Sequence, residues 1–98
     1  MALLDALQEK REDILKIAAT QHGAFNIRIF GSVARREETS ESDIDFLVDY
    51  NPDKTTPWFP GGLLMDWQDL LGRKVDVLTE NGVSPLIREQ VFSEAKPL

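Results

Sequence analysis

Two aspartates one residue apart, Asp43 and Asp45, lie in the run Ser42-Asp43-Ile44-Asp45-Phe46-Leu47-Val48-Asp49. On an extended chain alternate side chains share a face, so their carboxylates point the same way. Like charges side by side are unfavourable. A well-solvated strand end tolerates them, and so does a cation held between them. Hard oxygen ligands in this arrangement suit Mg²⁺, which keeps several waters and takes further ligands from phosphates. Asp-x-Asp is a common tripeptide, and by itself it reads at least as well as a solvated strand end.

The surroundings add to the pair. Gly31-Ser32 stands at a strand-to-helix junction. Glycine lets backbone approach a bulky anion closely. The N–H groups of the following turn and the Ser32 hydroxyl could then hold a triphosphate; the plainer reading is a turn with Ser32 as helix cap. Arg35, one helical turn on, either steadies phosphates or pairs with an acid of the 37–41 loop. Asp76 is a lone acid in Val75-Asp76-Val77-Leu78, and an acid within a short apolar strand is costly unless paired or ligated. If the Asp76 strand lies beside that of Asp43 and Asp45, three carboxylates converge next to a phosphate-holding turn. That is the composition of a two-metal phosphoryl-transfer centre. Asp49, at the far end of its strand, and Glu80, in a turn, read as solvated.

These residues need a scaffold. Leu3, Leu7, Ile14, Leu15 and Ala18 recur at helical spacing, and Gly23 supplies a stop. Phe25 to Phe30 predicts a strand, Val33 to Arg36 a short helix, and 37–42 a polar loop. Asp43 to Asp49 alternates Ile44, Phe46 and Val48 against Asp43, Asp45, Leu47 and Asp49. The segment 50–62 is rich in proline and glycine and predicts a loop. Leu63, Leu64, Trp67, Leu70 and Leu71 mark an amphipathic helix ended by Gly72, and Lys74 to Thr79 a third strand. Ser84-Pro85 reads as a cap and first-turn proline, with Ile87, Val91, Phe92 and Ala95 as the inner face of a last helix. The order α-β-α-β-α-β-α describes one α/β (α+β) domain over 1–98, a small mixed three-stranded sheet covered by helices.

Ninety-eight residues suffice for one modest core. The formal net charge of −6 argues against a protein that coats nucleic acid, so no stable nucleic-acid binding is expected. It leaves room for a nucleotide, because a divalent cation inverts the local field. The absence of cysteine excludes disulfides and thiolate metal sites. With no apolar run of membrane-spanning length and no charged-then-apolar leader, a cytoplasmic protein is the expectation.

Gly31-Ser32, ten residues, Asp43-Ile44-Asp45 and a later strand aspartate resemble the signature of the polymerase-beta-like nucleotidyltransferase superfamily. The fuller string Phe30-Gly31-Ser32-Val33-Ala34-Arg35, the run Leu70-Leu71-Gly72-Arg73-Lys74-Val75-Asp76-Val77-Leu78 and the ending Leu86-Ile87-Arg88-Glu89 are similar to its minimal nucleotidyltransferase (MNT) branch. The family commonly has glycine after the arginine matched by Arg35; here Arg36 stands there. The resemblance implies the polymerase-beta-like fold and an antitoxin of HEPN–MNT modules. Such a protein transfers AMP from ATP to a tyrosine of a HEPN ribonuclease and silences it. Carried over, Asp43 and Asp45 would bind both Mg²⁺ ions and Asp76 would complete the ion that activates the hydroxyl. Gly31, Ser32, Arg35 and Ser42 would hold the nucleotide. The lone histidine, His22, lacks an arginine at the spacing of such ribonucleases and is expected at the surface.

A different class of reading keeps the fold and drops the chemistry: a binding module that neutralises a toxin by covering it. The complete set of carboxylates and the Gly-Ser turn favour the enzyme. A transferase acting on small molecules normally needs a second domain, for which the chain is too short. In Pro57-Trp58-Phe59-Pro60 prolines present two aromatics with little ordering cost. One is expected to pack inward and the other to touch the partner.

Overall fold

The computed structural model describes residues 3–98. The N-terminal periodicity resolves into two helices, α1 (Leu3–Glu9) and α2 (Arg11–His22), rather than one. Lys10 leaves helical geometry between them, and its ammonium donates to the Leu70 carbonyl while Arg11 donates to that of Leu98 at 2.7 Å. The break lets Leu7 and Ile14 both reach the interior. Gly23 ends α2 in the left-handed conformation, its N–H on the Ala18 carbonyl.

β1 (Ala24–Phe30) runs into the short helix α3 (Gly31–Ala34), and β2 (Ile44–Tyr50) follows the polar loop. Ser32 lies inside α3; the N-cap position falls on Phe30 and has no side-chain cap, so the expected serine cap is not formed. A 3-10 turn (Pro52–Lys54) leads toward α4 (Gly61–Leu71), then β3 (Val75–Thr79), a second 3-10 turn (Glu80–Gly82), α5 (Arg88–Glu94) and β4 (Lys96–Pro97).

The sheet order is β3-β2-β1-β4. β1 pairs antiparallel with β2, and β2 pairs parallel with β3 across the α4 crossover. The mixed sheet therefore has four strands, not three. The fourth is two residues long, with Lys96 and Pro97 opposite Ile29 and Arg28. An edge position tolerates its proline, and so short a strand carries no alternation from which to recognise it.

One face of the sheet is apolar throughout. Ile44, Phe46, Val48, Val75, Val77 and Ile29 pack with Ile14, Ala18, Leu63 and Trp67 of the helices. The Trp67 ring lies 4.2 Å from that of Phe46 and donates its N–H to the Ile14 carbonyl at 3.2 Å. The other face is divided. Phe30, Leu47, Val83 and Val91 form a second cluster there, which buries the Leu47 that the alternation groups with the acids. That cluster is closed by α5, which begins at Arg88 rather than at Ser84-Pro85 and buries only Val91 fully. Ile87 and Phe92, expected inside, are 45% and 36% exposed. His22 is half-buried, its Nε2 2.6 Å from an Asp66 carboxylate oxygen of α4. Among the described residues no helix is long and apolar enough to cross a membrane.

Candidate active site

The start of β2 is the centre of the site because β2 has a neighbour on each side. Across the parallel ladder Asp45 stands in register with Asp76 of β3. Across the antiparallel ladder it faces Phe30, the last residue of β1 before Gly31. Paired residues of adjacent strands share a face, so the two carboxylates lie side by side. Asp43 precedes the strand by one residue and falls on the same side. The register brings the three acids to the same end of one sheet face, where Asp76 and Asp43 both act on Asp45 through their charge.

Burial differs along this triad. Asp43 and Asp45 are half-buried and Asp76 is exposed, so the expected cost of an acid within the third strand does not arise. The Asp45 carboxyl is pushed up to about 6, first by burial, then by the charges of Asp76 and Asp43, with Arg35 opposing. An isolated carboxylate flanked by acids favours its neutral form, and a cation would reverse that preference.

Gly31 follows for a steric reason as well as a conformational one. Its φ is +73°, and a Cβ built there would overlap the Asp45 carboxylate. The space a side chain would need at Gly31 is thus taken by the Asp45 carboxylate. Ser32 is half-buried, and its carbonyl accepts the Glu37 N–H at 2.9 Å. Arg36, at the position where glycine is common, adopts φ +58°. A non-glycine residue there is strained.

Arg35 forms the ion pair expected with an acid of the 37–41 loop, and a second one beyond it. Its Nε donates to Glu37 at 3.1 Å, and its Nη1 donates to both oxygens of Glu94 at 2.9 and 3.0 Å. It also acts on Asp45 through its charge. Ser42 closes the loop before β2: its hydroxyl accepts the Thr39 N–H at 2.9 Å and its carbonyl accepts from Arg73 at 3.0 Å. Asp49 and Glu80 lie outside the site as expected, Glu80 exposed in its turn, but both are ion-paired. Arg28 bridges them at 2.8 and 3.1 Å, far along the strand from Asp45. Sequence reasoning missed Glu94, which no local pattern connects to Arg35.

Among the described residues no three His, Cys, Asp or Glu side chains are grouped tightly enough for a protein-only cation cage. The donors present are carboxylates alone, which fits Mg²⁺ completing its shell with phosphate oxygens and water. The site is an open surface. Cavities of about 520 and 300 Å³ lie elsewhere, one between α1 and the 36–40 loop and one at the far ends of β2 and β3. Neither touches the three acids, and a ligand held by charge and metal needs no enclosed apolar pocket.

Residues 12–98 match the family model described as polymerase beta, nucleotidyltransferase. A relative from Methanocaldococcus jannaschii, carrying the name "Putative protein adenylyltransferase", is 39% identical over 75 residues, 76% of this chain and 80% of its own. A second of that name and organism is 38% identical over 98 residues, covering 93% of each chain. A solved structure described as a "putative minimal nucleotidyltransferase" superposes with a TM-score of 0.82 at 42% identity, over 97% of this chain and 95% of the other. A toxin–antitoxin structure with AMP-PNP shares the fold, with a TM-score of 0.69 at 22% identity over 92% of this chain and 70% of the other.

Proposed function

The chain belongs to the polymerase beta nucleotidyltransferase family, and from that premise we propose that it transfers AMP from ATP to a tyrosine hydroxyl of a HEPN ribonuclease toxin, which it thereby silences. The observation that carries the reading is the register of Asp45 with Asp76, beside Asp43 and against Gly31. Relatives named as protein adenylyltransferases support the reaction class, and a toxin–antitoxin complex of the same fold supports the kind of partner.

In the transfer the acceptor oxygen attacks the α-phosphorus. The bond to the bridging oxygen breaks, pyrophosphate leaves, and the hydroxyl proton is lost to a carboxylate or water. Asp43 and Asp45 would hold two Mg²⁺ ions, and Asp76 would complete the one nearer the acceptor. When bound, Mg²⁺ lowers the pKa of the attacking hydroxyl and neutralises the leaving group. Gly31 keeps the turn free of side-chain bulk, Ser32 and Arg35 supply donors to the phosphates, and Ser42 holds the loop that delivers Asp43. The exposed face of Asp76 leaves room for a protein acceptor beside the triad.

Trp58 is 83% exposed, whereas Phe59 packs on the core and on Tyr50 at 5.0 Å between rings. Trp58 is the candidate anchor for the partner. The test is to incubate the chain with the partner toxin, Mg²⁺ and each nucleoside triphosphate in turn, then weigh both proteins. The expected result is one AMP added to the toxin, with ATP only, and none with Asp45→Asn. A tight complex with no added mass would instead establish the binding-module reading.

A further inference from the structure

Helix α5 sends one side chain back to the start of the site. Glu94 accepts from Arg35 through both oxygens and from Gln90 at 3.1 Å, and its side chain is only 17% exposed. Its carboxyl lies below the usual carboxylate range, chiefly through Gln90, with burial opposing and with Arg35 and the Gly31 backbone N–H also contributing. The carboxylate therefore occupies Arg35, a group assigned to the triphosphate.

We infer that Glu94 is an internal competitor for the triphosphate: nucleotide binds by exchanging phosphate oxygens for the Glu94 carboxylate on Arg35. The inference rests on the nucleotide reading of Gly31, Ser32 and Arg35. A guanidinium presents the same planar fork to carboxylate and to phosphate, so the two compete for the same donors. Arg35 already faces two acids, Glu37 and Glu94. Their charge adds to that of Asp43 and Asp45 and opposes any anion arriving without its cation. Glu94 is a positioning residue in this scheme and takes no part in the reaction itself. The plainer role, a tie between α3 and α5, is not needed to hold α5 in place, because Val91 and Ala95 already pack it against Phe30 and Leu47.

The two roles predict opposite signs. Calorimetric titration of the full chain with Mg·ATP and with Mg·tripolyphosphate, at fixed ionic strength, reads them. Glu94→Gln and Glu94→Ala are each expected to tighten both ligands by roughly 3- to 10-fold. Glu37→Gln, from a pair whose acid is 67% exposed, is expected to tighten them less. Two variants guard against a folding artefact, and a melting curve accompanies each. A parent that binds while neither folded Glu94 variant binds more tightly overturns the exchange alone. If no chain, parent or variant, binds either ligand, the nucleotide reading of the turn fails and the inference falls with it.

Discussion

Asp45 and Asp49 lie on the same face of the same strand, four residues apart, and their surroundings are opposite. Asp49 receives Arg28 at 2.8 Å and the Asn26 amide at 2.9 Å, so its charge is answered within the chain. Asp45 meets Asp76, Asp43 and a glycine, and Arg35, whose charge acts on it, is held by two other acids. An acid supplied with donors by its own chain stabilises the fold. An acid surrounded by acids costs stability until something outside the chain supplies the charge. That contrast separates a structural ion pair from a site more clearly than the identity of either residue.

The sharpest way to break the contrast is to neutralise each end in turn. Asp45→Asn is expected to lower adenylyl transfer by ~10²-fold or more, since it removes a ligand charge from the transition-state site, while the metal-free chain melts no earlier than the parent. Asp49→Asn is expected to do the reverse, retaining transfer within a few-fold and melting earlier because Arg28 loses a charged partner. Full transfer by Asp45→Asn would remove the site from this strand.

The neighbouring aromatics repeat the contrast in apolar form. The Phe59 ring packs on the core, whereas the Trp58 side chain stands exposed. Phe59→Ala is expected to cost roughly 2–4 kcal/mol in denaturant unfolding. Trp58→Ala is expected to leave the melting point unchanged and to weaken capture of the toxin. An early-melting Trp58→Ala would refute the exposed placement.

Gly31→Ala tests the contact that isolates Asp45. The added methyl meets both the Asp45 carboxylate and a left-handed backbone, so a loss of about 1–2 kcal/mol is expected, together with weaker nucleotide binding. Unchanged stability and affinity would show that the carboxylate and the turn are not in contact.

The smallest effect is in pH. Burial and the neighbouring acids push the Asp45 carboxyl up to about 6, from 3.8 for a free aspartate side chain. The folded state therefore holds a proton that the unfolded state has released. Its contribution is fully present below 3.8 and is lost as pH rises through about 6. Because Asp45 is half-exposed, solvent screening reduces the effect to on the order of 1 kcal/mol. Metal-free melting points are expected to fall across this window in the parent and less in Asp45→Asn, and Mg²⁺ should restore the parent above it. A parent and variant with parallel pH profiles would show that Asp45 titrates normally.

Local spacing was enough to place some features. The two-residue period put Asp43 and Asp45 together and Ile44, Phe46 and Val48 opposite them, because alternation is a property of the extended backbone itself. Gly23 and Gly72 marked helix ends because left-handed caps favour glycine. The helix faces of α2 and α4 followed from 3.6-residue periodicity. The spacing failed where side chains were held from a distance. The N-terminal pattern did not show the break at Lys10, and the last helix turned Ile87 and Phe92 outward because its inner face had only the Phe30 and Leu47 patch to cover.

By itself, then, the sequence determined which residues could act: the three acids, the glycine turn and the arginine, together with the strands and helices that carry them. The tertiary structure alone decided who meets whom. It set Asp45 opposite Asp76 through a parallel crossover, gave Asp49 an arginine from β1, added a fourth strand at the edge, and brought Glu94 to Arg35 from 59 residues away. Periodicity is written into neighbouring bonds and can be read from neighbouring residues. Strand register and the return of a distant helix depend on how the whole core closes, and no short stretch of chain contains that information.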